Sequence, residues 1–140
     1  MTIKYNYETD FKIDKEIYYS EWINRILKIE LVKLGNLSYI FCDDGYLIKI
    51  NQEYLNHDTY TDIITFDYTE GKTIGGDIFI SVERIKENAE KFEVEFNEEL
   101  IRVMSHGILH LIGYKDKTDA DAALMREKEN QMIKLFHVEQ

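Results

Sequence analysis

The 140-residue chain has no proline and a single cysteine, Cys42. One cysteine excludes an intramolecular disulfide and a thiolate zinc cage, and it suits a reducing cytoplasm. No Gly/Ser-rich linker, low-complexity tract or internal repeat marks a boundary, so residues 1–140 are expected to fold as one domain. No run approaches the roughly 18 consecutive apolar residues of a membrane-spanning helix. The N-terminus, MTIKYNYETDFKID, lacks both a basic start followed by an apolar stretch and a small-residue cleavage site. A soluble, cytoplasmic protein without a membrane partner is expected. Positive charge is also scarce, since 17 Lys and Arg against 27 Asp and Glu give a formal net charge of −10. That balance argues against a protein that coats nucleic acid through a broad basic face, but it leaves room for a small local basic patch. DNA is not an expected partner.

What is present is a foldable pattern: 44% hydrophobic and 13% aromatic residues can supply a real core. Ile3 to Tyr7 reads as a strand. Asp14 to Lys33, with Ile17, Trp22, Ile26 and Ile29 among its apolar positions, reads as an amphipathic helix stopped by Gly35. Leu37 to Cys42 returns as a strand, broken by Asp43-Asp44-Gly45. A short helix then carries Tyr46, Ile50 and Tyr54 before His57 to Thr61 interrupts it. Ile63 to Tyr68 and Asp77 to Val82 are β-branched and aromatic and should pair across EGKTIGG. Helices follow. One spans Arg84 to Phe92, and a second, capped by Asn97, carries Leu100, Ile101, Met104, Ile108, Leu109 and Leu111 and ends at Gly113. The last starts at Thr118, which forms a capping-box pattern with Asp121, and runs toward Phe136. The expected class is α+β, a small sheet of about four strands with helices packed on it.

The stretch SHGILHLIGYKD, residues 105–116, carries the chemistry. Residues four apart on a helix share one face, so His106 and His110 can approach one ion. Gly113 can adopt the left-handed conformation that ends a helix, which turns Tyr114, Lys115 and Asp116 back toward the imidazoles. Asp116 is then a third ligand. Two imidazoles and a carboxylate suit Zn²⁺, and three protein ligands leave the fourth tetrahedral position open for water, as in a catalytic rather than a structural site. A histidine pair alone arises often by chance, and histidine on a partly apolar helix is commonly a hydrogen-bonded boundary residue. The full H-x-x-x-H-x-x-G-x-x-D pattern, however, has the layout of the extended zinc motif in metzincin-type peptidases, with Asp at the last ligand position. One departure matters. The zinc peptidase motif has glutamate after the first histidine to deprotonate the attacking water, and this chain has Gly107. Phosphodiester hydrolysis is therefore more compatible than peptide hydrolysis, and beyond the metal-bound water no catalytic base is assigned. A small zinc peptidase or other metallohydrolase, and a non-catalytic ribosome-associated module pinned by metal, are the alternatives.

HGILHLIGYKD closely resembles the histidine motif of the YbeY-type metallo-endoribonucleases, and the upstream segments INQEYLNHDTYTDIITF and GGDIFIS are similar to that family's other two signatures. Together they cover residues 50–116. The resemblance implies a small α+β domain with one Zn²⁺ per chain at the end of a central helix. It also implies an endoribonuclease specific for single-stranded RNA, acting on ribosomal RNA within ribosomal particles. The process implied is maturation of the 3′ end of small-subunit ribosomal RNA, together with ribosome quality control. Members of that family commonly carry aspartate at the position of Lys115 and histidine at that of Asp116, and an arginine at the position of Leu55. Here the third ligand must be Asp116, whose charge should make bound water somewhat less acidic. His57, Lys115 and Lys117 are nearby candidates to supply a donor or positive charge, although each also reads as an ordinary surface residue. Asp62 and Asp77 could orient ligand imidazoles or serve as plain turn and edge residues. Thr61 and Thr65 could line a groove. His137 lies outside any motif, Cys42 should be buried on its strand, and ENAEKFEVEFNEE reads as solvent-facing helix and connector.

Overall fold

The structure is a computed structural model and describes residues 2–55 and 61–138. Four strands, β1 (Ile3–Tyr7), β2 (Lys33–Cys42), β3 (Ile63–Asp67) and β4 (Thr73–Ser81), form one sheet in the order β1-β2-β4-β3. β1, β2 and β4 run parallel, and β3 lies antiparallel at the edge, with Ile63 opposite Ile80 and Asp67 opposite Gly76. The helices are α1 (Glu16–Ile29), α2 (Asp44–Leu55), α3 (Val82–Phe92), α4 (Phe96–Ile112) and α5 (Asp119–Val138). This is the expected α+β arrangement of a four-stranded sheet with helices on it. None of the described helices is long and apolar enough to cross a membrane.

In α1 the residues Tyr19, Trp22, Ile23, Ile26 and Leu27 recur at helical spacing, and all are buried. Trp22 ties α1 to α5: its indole N–H donates to the Met132 carbonyl at 2.9 Å, and its ring meets Phe136 edge-on at 5.3 Å. Ile17 and Ile29 fall outside that stripe and are exposed. The helix ends at Ile29, earlier than Lys33, because Leu31 takes a left-handed turn (φ 59°), so Gly35 is not the residue that stops it. Val32 N–H then reaches back to the Leu27 carbonyl at 3.0 Å, satisfying the last turn. Gly35 lies inside β2, next to an irregularity in register between Leu34 and Leu37. A Cβ there would stand 2.9 Å from the Ile74 carbonyl oxygen, so the glycine permits close approach of two strands.

Other boundaries differ from expectation as well: β2 starts at Lys33, ahead of Leu37, and Val82 opens α3 and does not close β4. β4 starts at Thr73, so Gly75 and Gly76 belong to the strand and not to the loop before it. α4 starts at Phe96, after an extended Glu95, which puts Asn97 in the first turn without a capping role. Phe96, the first residue of the helix, is partly buried and packs on Phe11 with ring centroids 5.6 Å apart. Thr118 behaves as expected, its hydroxyl accepting from Asp121 N–H at 3.0 Å ahead of α5.

One sheet face carries the main core, where Tyr39, Phe41, Ile78 and Ile80 meet Trp22, Leu100, Met104 and Ile108. On the other face, α2 covers a smaller cluster of Leu47, Ile64 and Cys42. The Cys42 thiol is fully buried and donates to the Ile80 carbonyl at 3.5 Å. Burial and the neighbouring carboxylates push its pKa up to about 12. Trp22→Ala is expected to cost about 3–5 kcal/mol of unfolding free energy, through lost burial and the cavity left between α1 and α5. Urea denaturation checks this; a loss below about 1 kcal/mol would contradict the role given to the indole.

Candidate metal centre

The site starts with how closely α4 lies on the sheet. The Tyr39 hydroxyl donates to the Met104 carbonyl at 2.9 Å, fixing the helix over β2. Gly107 faces the sheet, where a Cβ would stand 2.9 Å from Ile78 Cγ2 and 3.1 Å from Ile63 Cδ1. One turn further on, Leu111 packs against Gly76, with Cδ2 3.2 Å from where a Cβ would lie. With position 107 against the strands, His106 and His110 lie together on another side of the helix. They are half-buried, with ring centroids 4.5 Å apart and planes at 81°.

Gly113 ends α4 with φ 124°. Its N–H bonds the His110 carbonyl at 3.1 Å, and Tyr114 N–H bonds the Leu109 carbonyl at 2.9 Å, the paired return of a Schellman motif. The Tyr114 hydroxyl then donates to Glu30 Oε1 at 2.6 Å, and Lys128 Nζ holds Glu30 Oε2 at 3.1 Å, so the returning chain is anchored on α1 and α5. Asp116 comes back over the imidazoles. Its Oδ2 lies 3.3 Å from His106 Nε2 and 3.4 Å from His110 Nε2. The three ligand atoms all fall within 4.8 Å of one another. A tetrahedral zinc with bonds of about 2.0–2.1 Å has neighbouring ligand atoms about 3.3–3.4 Å apart, so both carboxylate–imidazole separations match the edge of that tetrahedron. The His, His and Asp side chains form a cluster able to hold a metal ion, and their nitrogen and oxygen donors suit zinc.

Behind His106 stands Glu129 of α5, which the sequence reading passed over. It is 4% exposed, and its Oε2 lies 2.6 Å from His106 Nδ1. The other oxygen, Oε1, lies 3.3 Å from Arg102 Nη1 and 3.9 Å from Arg126 Nε. Burial disfavours charge on His106, but the hydrogen bond to Glu129 and the charges of Glu129, Asp116 and Asp62 outweigh it and raise the imidazole pKa. Asp62 sits just ahead of β3, where burial raises its carboxyl above the ordinary range, although the nearby His106 partly offsets this. A cleft of about 430 Å³ opens here, lined by Asp62, Phe92, Arg102, His106, Arg126 and Glu129 among others.

The remaining candidates separate cleanly. Lys115 and Lys117 flank Asp116 on the exposed return. Asp77 belongs to a different cleft, with Tyr54, Phe66 and Phe79, and does not join the histidines. Thr61 and Thr65 are half-buried, the Thr61 hydroxyl donating to the Ile63 carbonyl at 3.3 Å. His137 is exposed near the end of α5, and His57 lies outside the described residues. Glu99 departs from the expected solvent-facing role of its segment: it is 4% exposed and lines the cleft, where burial raises its pKa despite Arg102. A signal for Glu129 does exist in the sequence. It occupies the apolar stripe of α5, between the buried Met125 and the buried Met132 and Ile133, where a carboxylate needs a partner.

A model of the family described as Endoribonuclease YbeY matches residues 4–137. The Endoribonuclease YbeY of Flavobacterium johnsoniae is 59% identical over 138 residues, covering 99% of both chains. That of Christiangramia forsetii is 57% identical over 133 residues, covering 95% of this chain and 93% of the other. A solution structure from Thermotoga maritima superposes with a TM-score of 0.71 at 26% identity, covering 99% of this chain and 91% of that one.

The raised His106 pKa has a thermodynamic consequence in the metal-free protein. Because the folded value lies above that of the unfolded chain, the imidazolium contributes its stability in full below the unfolded-chain value of about 6.5. That contribution disappears as pH rises through the folded value. Thermal unfolding of chelator-treated protein is expected to show this loss on the alkaline side, and His106→Gln to flatten it. An unchanged pH profile in the variant would contradict the assignment.

Proposed function

The chain belongs to the YbeY endoribonuclease family, and from that premise we propose that it cleaves single-stranded RNA with one zinc ion held by His106, His110 and Asp116. It is a metal-dependent hydrolase of phosphodiester bonds, involved in ribosomal RNA maturation. In our reading it acts on the 3′ end of small-subunit RNA and in ribosome quality control, on ribosomal particles. The observation that carries the zinc reading is the placement of one Asp116 oxygen 3.3 and 3.4 Å from the two imidazole Nε2 atoms.

When bound, zinc supplies Lewis-acid polarisation of a phosphoryl oxygen and acidifies water toward neutral pH. The chain does the rest. The cleft beside His106 receives the nucleotide next to the scissile phosphate, with half-exposed Phe92 at its wall offering a face for a base to stack on. Arg126, its side chain 62% exposed, extends a guanidinium into the same cleft and offsets phosphate charge. Asp62 is the proton acceptor in this reading, because it lines the cleft beside His106 and its raised pKa moves its basicity toward the working range. A peptidase reading fails on position 107, where the zinc peptidases carry their base. That position packs against Ile78 and Ile63, so a side chain there would meet the sheet and not the substrate.

Purified protein is expected to cut single-stranded RNA only when zinc is present, and His110→Ala to lose that cleavage. Cleavage indifferent to both chelation and the substitution would overturn the proposal. Asp62→Asn should lower kcat by about 10²-fold or more while leaving zinc affinity within a few-fold of wild type.

A further inference from the structure

Glu129 belongs to α5, 23 residues from the histidine it touches. Its surroundings divide the carboxylate's two oxygens between two tasks. Oε1 is held by Arg102 Nη1 at 3.3 Å, and Arg102 is itself fixed by Asn130 Oδ1 at 3.1 Å and faces Glu99 at 3.8 Å. Oε2 is thereby left aimed at His106 Nδ1 at 2.6 Å, the length of a charge-assisted hydrogen bond. Burying a carboxylate to this degree costs free energy that Arg102 at 3.3 Å and the exposed Arg126 at 3.9 Å offset only in part, so the position is not explained by surface electrostatics.

An imidazole carries its one proton on either Nδ1 or Nε2, and here the two forms have opposite consequences. With the proton on Nε2, the N–H points toward Asp116 Oδ2, 3.3 Å away, and occupies the direction a metal must take. With the proton on Nδ1, it is donated to Glu129, and the Nε2 lone pair faces the ligand triangle. From this geometry we infer that Glu129, braced by Arg102, is a positioning residue that locks His106 in its Nδ1–H form and so presets the metal centre before any ion arrives. The inference rests on the zinc reading of the site given above and adds to it a dependence on α5. The same bond makes metal capture and docking of α5 on α4 partners in one equilibrium, because the carboxylate that orders the ligand is carried by the last helix.

The test uses the full-length protein, zinc competition with a chromophoric chelator, and imidazole ¹⁵N–¹H correlation spectra of the metal-free form at a pH where His106 is neutral. Wild-type protein is expected to show His106 protonated on Nδ1. Glu129→Gln keeps an acceptor but loses the charge, and zinc affinity is expected to fall about 10-fold. Glu129→Leu removes the acceptor, so affinity should fall up to about 100-fold and His106 should move to the Nε2–H form. The wild-type spectrum requires no substitution, so it decides the matter even if the leucine variant does not fold: His106 protonated on Nε2 would overturn the inference. Equal zinc affinity in wild type and Glu129→Gln, with His106→Ala and His110→Ala abolishing binding, would overturn the role of Glu129 while leaving the zinc reading intact. Zinc binding that survives His106→Ala and His110→Ala would overturn both.

Discussion

The closeness of α4 to the strands beneath it is the constraint from which the rest of this molecule follows. Position 107 can hold only a hydrogen atom, because Ile78 and Ile63 already occupy the space where a side chain would begin. Gly76 on the opposing strand makes the same concession to Leu111. Contacts this tight leave a helix little freedom to rotate about its axis. With one face committed to the sheet, the directions of His106 and His110 are decided by helical geometry alone. The buried tyrosine hydroxyl on Met104 adds a polar restraint one turn earlier. The peptidase motif places its base at the position this chain has given up to packing. The same glycine therefore sets the direction of the two imidazoles and leaves no room at that position for the base a zinc peptidase carries.

Charge around the site is one-sided. Asp62, Glu99, Asp116 and Glu129 line a cleft whose only arginines among the lining residues are Arg102 and Arg126. Arg102 is already engaged with Glu99 and Glu129. On a chain of net charge −10, such a cleft left to itself would repel a phosphodiester. A divalent cation held at the His–His–Asp cluster would offset that negative charge where the phosphate must lie, and so would serve substrate binding as well as bond cleavage. The exposed Lys115 and Lys117, on either side of Asp116, add positive charge beside the cluster. An acidic protein can in this way serve a polyanionic substrate through a small patch.

Much of the centre is legible in the sequence because it is local. His106, His110, Gly113 and Asp116 fall within one helical segment and the turn after it, and their spacing alone states the geometry. The sheet was legible for a similar reason, as each strand holds a local apolar run, although the glycine-bearing first halves of β2 and β4 escaped. What escaped depends on distance in the chain. Glu129 acquires meaning only once α5 lies against α4, and in sequence it is one glutamate among many, betrayed only by its place in an apolar stripe. Glu99 hid in the same way inside an acidic run. Gly35 misled for a different reason: glycine marks helix ends and close strand contacts equally well, and here Leu31 had already taken the left-handed turn. Asn97 misled because capping propensity is worth only about 1 kcal/mol, and Phe96, packed on Phe11, already belongs to the helix.

The absence of sulfur from the ligand cluster matters beyond affinity. Thiolate zinc sites release their ion when oxidants convert the ligands to disulfide or sulfenic acid, and cells exploit this as a stress signal. Nitrogen and oxygen donors have no such couple. The protein's one thiol is sealed beneath α2 with its proton held to about pH 12, so it offers peroxide almost no reactive anion. Oxidising episodes that disarm cysteine-based enzymes should therefore leave the donors of this cluster chemically intact.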